Sequence, residues 1–517
     1  MTTLKFVNSH LEELPIDKSN DSSPRQVKDA FFTKVSPTSV INPKIVCSSE
    51  DILKIIDLDK DDPALVEYFS GNKLFPGSDP VAHCYCGHQF GVFAGQLGDG
   101  RAILLGEIQN SKGEAYELQL KGSGKTPFSR DGDGRAVLRS SIREFLCSEA
   151  MFHLGIPTTR AGYLVTSQTL VTRDIKYDGN KTIEPATVVL RIAPSFLRFG
   201  SFQICDQGGP SQGNPTLIKT LTRYVVKKFF PHLLNAEEVV FEFANEVMRR
   251  TVSMVVDWQA CGFTHGVLNT DNMSIFGLTI DYGPFGFMDA YNPNFVPNHS
   301  DSTGRYKFRN QPGVCKWNLE RLFDSLKLAY PKLDLDDLLE DYNELYSTLY
   351  LDKMRKKLGL FRKIVGDADL IKDLLKVMET TQADYTNTLR HLSRFDLKSE
   401  NKSVLAYILK QLKNPSTEET KTAWMGWLEK YRVRLEKEIE PMEKRVAMMN
   451  LNNPKYILRN YMAQLAIQKA EQGDYSEVKK LLEVLRDPYD LTSNPEHVMY
   501  DQLPPDWAGS LCISCSS

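Results

Sequence analysis

The chain has 517 residues, of which 41% are hydrophobic and 25% charged, and its net charge at pH 7 is −3. This composition is typical of folded globular proteins and excludes a disordered or fibrous chain. No apolar run reaches the ~18–20 residues that span a bilayer, so we expect no membrane insertion. The balanced charge gives no indication of a nucleic-acid partner.

The first 60 residues are mixed and polar, and four prolines interrupt them. We expect residues 1–60 to form an extended arm around a folded body, with a helix near residues 50–57. The start of the chain has neither a cationic and apolar leader nor an Arg-rich, acid-poor segment, so no secretory or transit signal is readable. Seven of the nine cysteines are scattered, which favours a reduced compartment over a disulfide framework.

Residues 61–205 carry short β-branched and alternating runs that predict a sheet-rich lobe. One helix interrupts it over residues 139–157, where apolar residues recur at helical spacing until a glycine and a proline stop the pattern. The runs that predict strands are residues 101–108, 115–122, 162–171 and 186–193.

Beyond residue 205 the patterns become helical. Residues 206–330 predict an α-rich lobe, with long helices over residues 216–262 followed by a turn-rich block, and residues 331–517 predict a helical extension. This order of elements predicts a segregated α+β fold.

The segment HGVLNTDNMSIFGLTIDYG, residues 265–283, is the most informative one. Its spacing resembles the catalytic loop of kinase-like enzymes, in which an asparagine and a following aspartate hold Mg²⁺ against the nucleotide phosphates. Asn272 and Asp281 occupy those places in the sequence after His265. Val267 stands where such enzymes carry the catalytic aspartate, so ordinary phosphoryl transfer would lose its base.

Two upstream features fit the same interpretation. The turn GQLGDG contains Gly98 and Gly100, which lack side chains and so let backbone N–H groups approach phosphates. Lys121 ends a predicted strand where a phosphate-binding lysine would lie, and Glu144 on the predicted helix would be its ion-pair partner.

Each feature also has a purely structural interpretation. A GDG sequence is common in hairpin turns, Lys121 alone could be a solvated strand residue, and Glu144 could close a capping box with Ser141. The catalytic-loop residues taken singly could be structural or turn residues. The order and spacing of all the features together favour a nucleotide site.

Three long segments resemble the selenoprotein O family: GHQFGVFAGQLGDGRAILLGE (87–107), LQLKGSGKTPFSRDGDGRAVLRSSIREFLCSEAMFHLGIPTTRA (118–161) and THGVLNTDNMSIFGLTIDYGPFGFMDAYNPNF (264–295). The resemblance implies a protein-kinase-like two-lobed fold with an N-terminal arm and a large helical C-terminal extension. It also implies a protein adenylyltransferase that binds ATP in a flipped orientation and transfers AMP to Ser, Thr or Tyr hydroxyls of proteins, with a link to redox homeostasis.

The resemblance assigns roles residue by residue. It implies that Lys121 and Glu144 form a catalytic ion pair and that Asp271 accepts a proton. The implied ligands of Mg²⁺, with Mn²⁺ as an alternative, are Asn272 and Asp281. The implied nucleotide contacts are Gly98, Gly100, Arg101, Lys121, Asp133, Gly134, Arg191, Arg198 and Asp281.

Two cysteine motifs have separate interpretations. The segment HCYCGHQF contains potential zinc ligands, but its C-x-C spacing is tight for one tetrahedral ion and no second pair follows, so we expect no zinc site. Cys512 and Cys515 form a terminal C-x-x-C, which can act as a redox dithiol. Selenoprotein members of the family have selenocysteine at the second position, and an inert tail is the alternative.

Three other functions remain open from the residues alone: a conventional phosphotransferase, a non-catalytic ATP-binding pseudokinase scaffold and a thiol oxidoreductase. The family resemblance favours a mitochondrial location although no transit peptide is readable, and a cytoplasmic location is the alternative.

Overall fold

The first part of the chain is dominated by a large sheet. The computed structural model describes residues 4–19, 21–174, 179–413, 417–490, 494–511 and 513. Its strands are β1 Ile16–Asp17, β2 Phe32–Lys34, β3 Lys44–Ser48, β4 Val81–His83, β5 Cys86–Gln89, β6 Val92–Gln96, β7 Ala102–Gln109, β8 Ala115–Lys121, β9 Ala136–Val137, β10 Arg160–Asp174, β11 Lys181–Ala193, β12 Phe263–Thr264 and β13 Gly286–Phe287.

The helices are concentrated in the second half of the chain. They are α1 Ser9–Glu13, α2 Glu50–Ile55, α3 Leu65–Phe69, α4 Leu138–His153, α5 Phe199–Phe202, α6 Pro215–Phe229, α7 Val239–Cys261, α8 Gln311–Ala329, α9 Asp336–Lys357, α10 Asp367–Thr381, α11 Tyr385–His391, α12 Asn401–Leu409, α13 Glu418–Leu435, α14 Met442–Asn452, α15 Asn460–Glu471 and α16 Ser476–Leu485. The α+β class is confirmed, since a large N-terminal sheet is followed by a mostly helical region.

The main sheet runs in the order β1-β2-β4-β7-β8-β11-β10-β3, and β9 pairs with β11. Among the described pairs of strands, only the edge pair β1–β2 is parallel. The first 60 residues supply strands at both edges, because β1 and β2 lie at one end and β3 pairs with β10 at the other. The four predicted strands are confirmed as β7, β8, β10 and β11, and the predicted helix among them as α4.

Both faces of the sheet are covered. Alternate residues of a strand point to opposite faces, and accordingly Leu118 and Leu190 pack with α2 and α3 on one side. On the other side Leu104 and Val189 belong to the core that contains α4 and the C-terminal helices α15 and α16. A separate apolar core, which includes Trp424, forms among α9 to α14.

The predicted helical stretch over residues 216–262 consists of two helices. The residue before a proline is disfavoured in the α conformation, and α6 ends at Phe229, just ahead of Phe230 and Pro231. The second helix, α7, ends at Gly262, which takes a left-handed conformation with φ of +76°. Within the described residues, none of the helices combines the length and the apolar content needed to cross a bilayer.

Candidate active site

A cavity of about 790 Å³ lies where the sheet meets the loop of residues 265–283. Its walls come from residues 97–102, residues 128–135 and the loop of residues 267–284. The other lining residues are Tyr85, Gln89 and Phe90, Lys121 of β8, Thr172 and Arg173 of β10, and Arg191 of β11. Among the described residues, Glu144 and Arg198 are the predicted site residues that do not line it. The predicted residues on its wall are Gly98, Gly100, Arg101, Lys121, Asp133, Gly134, Arg191, Asp271, Asn272 and Asp281.

Lys121 ends β8 at the cavity wall, and Glu144 of α4 holds its ammonium group. Nζ of Lys121 lies 2.5 Å from Oε2 of Glu144, and the two side chains are 9% and 4% exposed. Burial lowers the pKa of Lys121, against the opposing charge of Glu144. Because both partners are buried, the pair fixes the position of the lysine.

Arg191 on β11 joins the same glutamate to the loop of residues 265–283. Its Nη1 lies 3.4 Å from Oε1 of Glu144 and forms an ion pair with Asp281. Its Nη2 donates to Oε1 of Gln119, its register partner on β8. Nε of Arg191 has no hydrogen-bond partner among the described residues, so the guanidinium group has an unused donor.

Arg198 lies behind the cavity wall and is 1% exposed. Its Nη1 donates to Oδ2 of Asp281 at 2.6 Å and to the backbone carbonyl of Asp271 at 2.8 Å. Its guanidinium carbon lies 4.4 Å from the ring centroid of Tyr85. In this structure Arg198 therefore positions the two acidic residues and does not face the cavity itself.

The carboxylate of Asp281 forms ion pairs with the guanidinium groups of both Arg191 and Arg198. Burial alone would raise the pKa of Asp281, but the charges of Arg198 and Arg191 hold it well below its usual range. Its backbone is left-handed, with φ of +56°, a conformation that aspartate adopts more readily than most residues. Asp281 is consequently a fixed anion at neutral pH.

Asp271 and Asn272 belong to a short 3₁₀ helix, Thr270–Asn272. Nδ2 of Asn272 donates to the carbonyl of Val267 at 2.9 Å, which turns the amide oxygen away from that carbonyl. Burial raises the pKa of Asp271 to about 7. Its Oδ1 is buried and has no hydrogen-bond partner among the described residues. Asp271 therefore has an oxygen available for a proton.

His265 has a structural role in this loop. It is buried, its Nε2 lies 2.8 Å from the carbonyl of Ile280, and its backbone N–H donates to Gln311. Val267 lines the cavity at the position where kinase-like enzymes carry an aspartate. An aliphatic side chain cannot accept a hydroxyl proton, so this position supplies no base.

The glycine turn is closely packed against the second loop. Gly98 has φ of +69°, and a Cβ added there would overlap the ring of Phe128. A Cβ at Gly100 would lie 2.7 Å from the carbonyl oxygen of Phe128. Both glycines are thus required by the packing of the two loops that line the cavity.

We expect Gly98→Ala to lower the free energy of unfolding by about 1–3 kcal/mol, because it combines a left-handed alanine with a steric overlap. The matched control is Gly313→Ala on α8, where an added Cβ meets nothing within 4 Å. That control should be neutral or stabilising by up to about 1 kcal/mol, since alanine favours helix over glycine. Urea unfolding of both variants measures the difference, and equal stabilities would contradict the packing argument.

Asp133 is already engaged by a cation that the sequence did not point to. Arg173 on β10 donates to both of its carboxylate oxygens, at 2.7 and 2.8 Å. Burial would raise the pKa of Asp133, but the bonds from Arg173 lower it. Arg130 and Arg135 also line the cavity. These two arginines lie inside the segment RDGDGRAV, whereas nothing in the sequence around Arg173 indicated a site.

Gln89 is a further residue that sequence reasoning did not single out. It ends β5 in the small β5–β6 hairpin and lines the cavity. Its Nε2 donates a long hydrogen bond, 3.4 Å, to Oδ2 of Asp271. The only signal for Gln89 was its place in the GHQFG segment.

The oxygen atoms available in the cavity fit a magnesium ion whose remaining ligands are nucleotide phosphates. Mg²⁺ is usually bound by one or two carboxylates together with substrate phosphates, and the cavity offers the ionised Asp281 and the amide oxygen of Asn272. Among the described residues, no three His, Cys, Asp or Glu side chains come together as a complete metal site. A metal there would therefore depend on the bound substrate.

Cys84 and Cys86 do not line the cavity. Cys84 and Cys86 are buried free thiols, and burial raises the pKa of both. Cys512 and Cys515 lie outside the described residues. Ile513 between them is 7% exposed, and its carbonyl accepts a hydrogen bond from the backbone of His299 at 2.8 Å.

Comparison with known proteins decides the family. A family profile described as protein adenylyltransferase SelO matches residues 17–486. The chain belongs to the SelO family. It is 44% identical to the mitochondrial protein adenylyltransferase SelO of Mus musculus, over 99% of this chain and 93% of that protein. It is 43% identical to the protein nucleotidyltransferase YdiU of Azoarcus sp. (strain BH72), over the full length of both chains.

The SelO-family chain is therefore a protein adenylyltransferase, a class of nucleotidyltransferase, and the family and activity expected from the sequence are confirmed. Membership implies that ATP and proteins are its substrates. The human relative, at 42% identity, is also described as mitochondrial. Because bacterial relatives match equally well, identity to SelO proteins does not decide the compartment, and the mitochondrial location stays a prediction.

Proposed function

We propose that the chain binds ATP in a flipped orientation and transfers its AMP moiety to Ser, Thr or Tyr hydroxyls of protein substrates. The observation that carries this proposal is the pairing of features in one loop. Val267 stands where kinases carry a catalytic carboxylate, whereas Asp271, next to the proposed metal ligand Asn272, lines the same cavity. One carboxylate oxygen of Asp271 has no hydrogen-bond partner among the described residues.

We infer a protein-kinase-like architecture with an arm at residues 1–60, a nucleotide-binding lobe at 61–205, an α-rich lobe at 206–330 and a helical extension at 331–517. Its support is the buried Lys121–Glu144 pair between a strand and the following helix, since kinases join a β-strand lysine to a helical glutamate in this way.

The β- and γ-phosphates of ATP would occupy the basic end of the cavity. Lys121, Arg191 and the exposed Arg101 line it, and charge-assisted hydrogen bonds to phosphate are among the strong ones in proteins. Arg198 would contribute through Asp281, which it holds in position.

The roles of the acidic residues follow from the same placement. Asn272 and Asp281 would hold Mg²⁺, or Mn²⁺ as the alternative, which supplies charge neutralisation on the phosphate oxygens when bound. Asp271 would take the proton of the acceptor hydroxyl, whose oxygen bonds to the α-phosphorus while the bond from that phosphorus to the bridging oxygen breaks. Pyrophosphate leaves with that oxygen and its electron pair.

The experiment that tests the transfer is mass spectrometry of the chain and of candidate acceptor proteins after incubation with ATP and Mg²⁺. We expect added AMP on Ser, Thr or Tyr side chains. Phosphoryl groups without any AMP would contradict the proposal and favour a conventional phosphotransferase. An untreated sample and an Asp281→Asn variant are the matched controls.

A further inference from the structure

A second cavity lies in the helical part of the chain and shares no lining residue with the candidate active site. It has a volume of about 870 Å³ and is bounded by α11, α14 and residues 498–503. Small-molecule sites in proteins typically measure about 300–1,000 Å³, so this cavity has the size of a ligand site.

Two cations on its wall have no ion-pair partner among the described residues. The guanidinium carbon of Arg394 lies 4.7 Å from the ring centroid of Tyr407, and Nζ of Lys410 lies 5.8 Å from the same centroid. A tyrosine ring attracts cations without neutralising their charge. Tyr407 therefore holds Arg394 and Lys410 near each other with both charges uncompensated.

The rest of the wall keeps this positive excess. Arg390 donates to the backbone carbonyls of Asn450 and Asn453, each at 2.8 Å, and carbonyls satisfy its donors without cancelling its charge. Counting all lining side chains, four Lys and Arg residues face two Asp residues, Asp490 and Asp501, an excess of two positive charges. Burial lowers the pKa of His391 to about 4, so that ring adds no charge at neutral pH.

Two buried polar atoms on the wall also have no partner. Nδ1 of His391 and Oδ1 of Asn450 are buried and make no hydrogen bond with any described residue. Buried polar atoms are nearly always hydrogen-bonded in folded proteins, so these two residues of the wall are exceptions. Met442, Val446 and Leu503 supply apolar surface on the same wall.

We propose that this cavity is a second ligand site, which binds a small organic molecule through a phosphate group placed against Arg394 and Lys410. A phosphomonoester carries about −1.5 to −2 charges near pH 7, which matches the excess on the wall, whereas a carboxylate carries a single charge. The apolar residues accommodate the organic part.

Titration calorimetry with phenyl phosphate tests the proposal on the full chain. We expect saturable binding at one site, which Arg394→Ala/Lys410→Ala weakens by about tenfold or more, because two charge-assisted contacts are lost. The matched control Arg223→Ala/Lys402→Ala removes two exposed cations from α6 and α12, and should bind like the parent chain. Benzoate, with the same ring and a carboxylate, should bind more weakly.

Hydrogen exchange locates the ligand independently of the variants. Phenyl phosphate should protect residues 385–394 and 442–452 and leave residues 265–283 unchanged. Absence of saturable binding, equal binding by the Arg394→Ala/Lys410→Ala variant, or protection confined to residues 265–283 would overturn the proposal. If inorganic phosphate bound as tightly as phenyl phosphate, the proposal that the ligand is an organic molecule would be overturned, and the site would be assigned to the free phosphate ion.

Discussion

Asp281→Asn should reduce AMP transfer by about 10²–10³-fold or more, because it removes the anion that holds the proposed metal and orders two arginines. The substitution keeps the size of the side chain, and asparagine also tolerates the left-handed backbone of this position. It leaves Arg191 and Arg198 buried with one carboxylate fewer. Loss of one partner of a buried ion pair costs about 3–5 kcal/mol, so the free energy of unfolding should fall by a comparable amount.

The control for this variant is Asp206→Asn, which changes a carboxylate outside the cavity that accepts a hydrogen bond from Ser325 at 3.0 Å. It should leave AMP transfer unchanged. Transfer rates are measured with labelled ATP well below the melting temperature of each variant, and chemical unfolding gives the stability. Asp281→Asn with the activity of the parent chain would remove Asp281 from the mechanism.

Asp271→Asn should lower kcat for AMP transfer by about 10²–10⁴-fold, the usual contribution of a general base. The KM for ATP should stay close to that of the parent chain. The contact of Arg198 with this residue uses the backbone carbonyl, so the substitution does not disturb it. Steady-state kinetics with ATP as the varied substrate separates these two effects.

Asp131→Asn is the matched control for Asp271, since Asp131 lines the same cavity but is exposed. It should retain nearly the full kcat. If Asp271→Asn also retained kcat, or if it lost only affinity for ATP, Asp271 would not be the proton acceptor and another group would have to fill that role.

Local structure was largely predictable from the sequence. The strands β7 and β8 and the helix α4 follow from short-range patterns of apolar residues, because burial of one face imposes a fixed period on a strand or helix. The long helices predicted over residues 216–262 are present as α6 and α7, and Pro231 marks where the first of them ends.

The site was predictable in its membership and less so in its contacts. Motif order identified Gly98, Gly100, Lys121, Asn272 and Asp281, and the family resemblance added the other predicted residues of the cavity wall. Arg173 and Gln89 were not identified, because they reach Asp133 and Asp271 across 40 and 182 positions of the chain. Sequence periodicity reports which face of an element is buried and not which distant side chain meets it. The same reason explains why Arg198, expected on the phosphates, lies behind Asp281.

The flipped orientation of ATP is the central claim, and a crystal structure of the chain with Mg²⁺ and a non-hydrolysable ATP analogue tests it most directly. We expect the terminal phosphates beside Lys121 and Arg191, with the α-phosphorus facing Asp271. An adenine ring seated beside Lys121 and Arg191, with the γ-phosphate directed toward solvent, would contradict it.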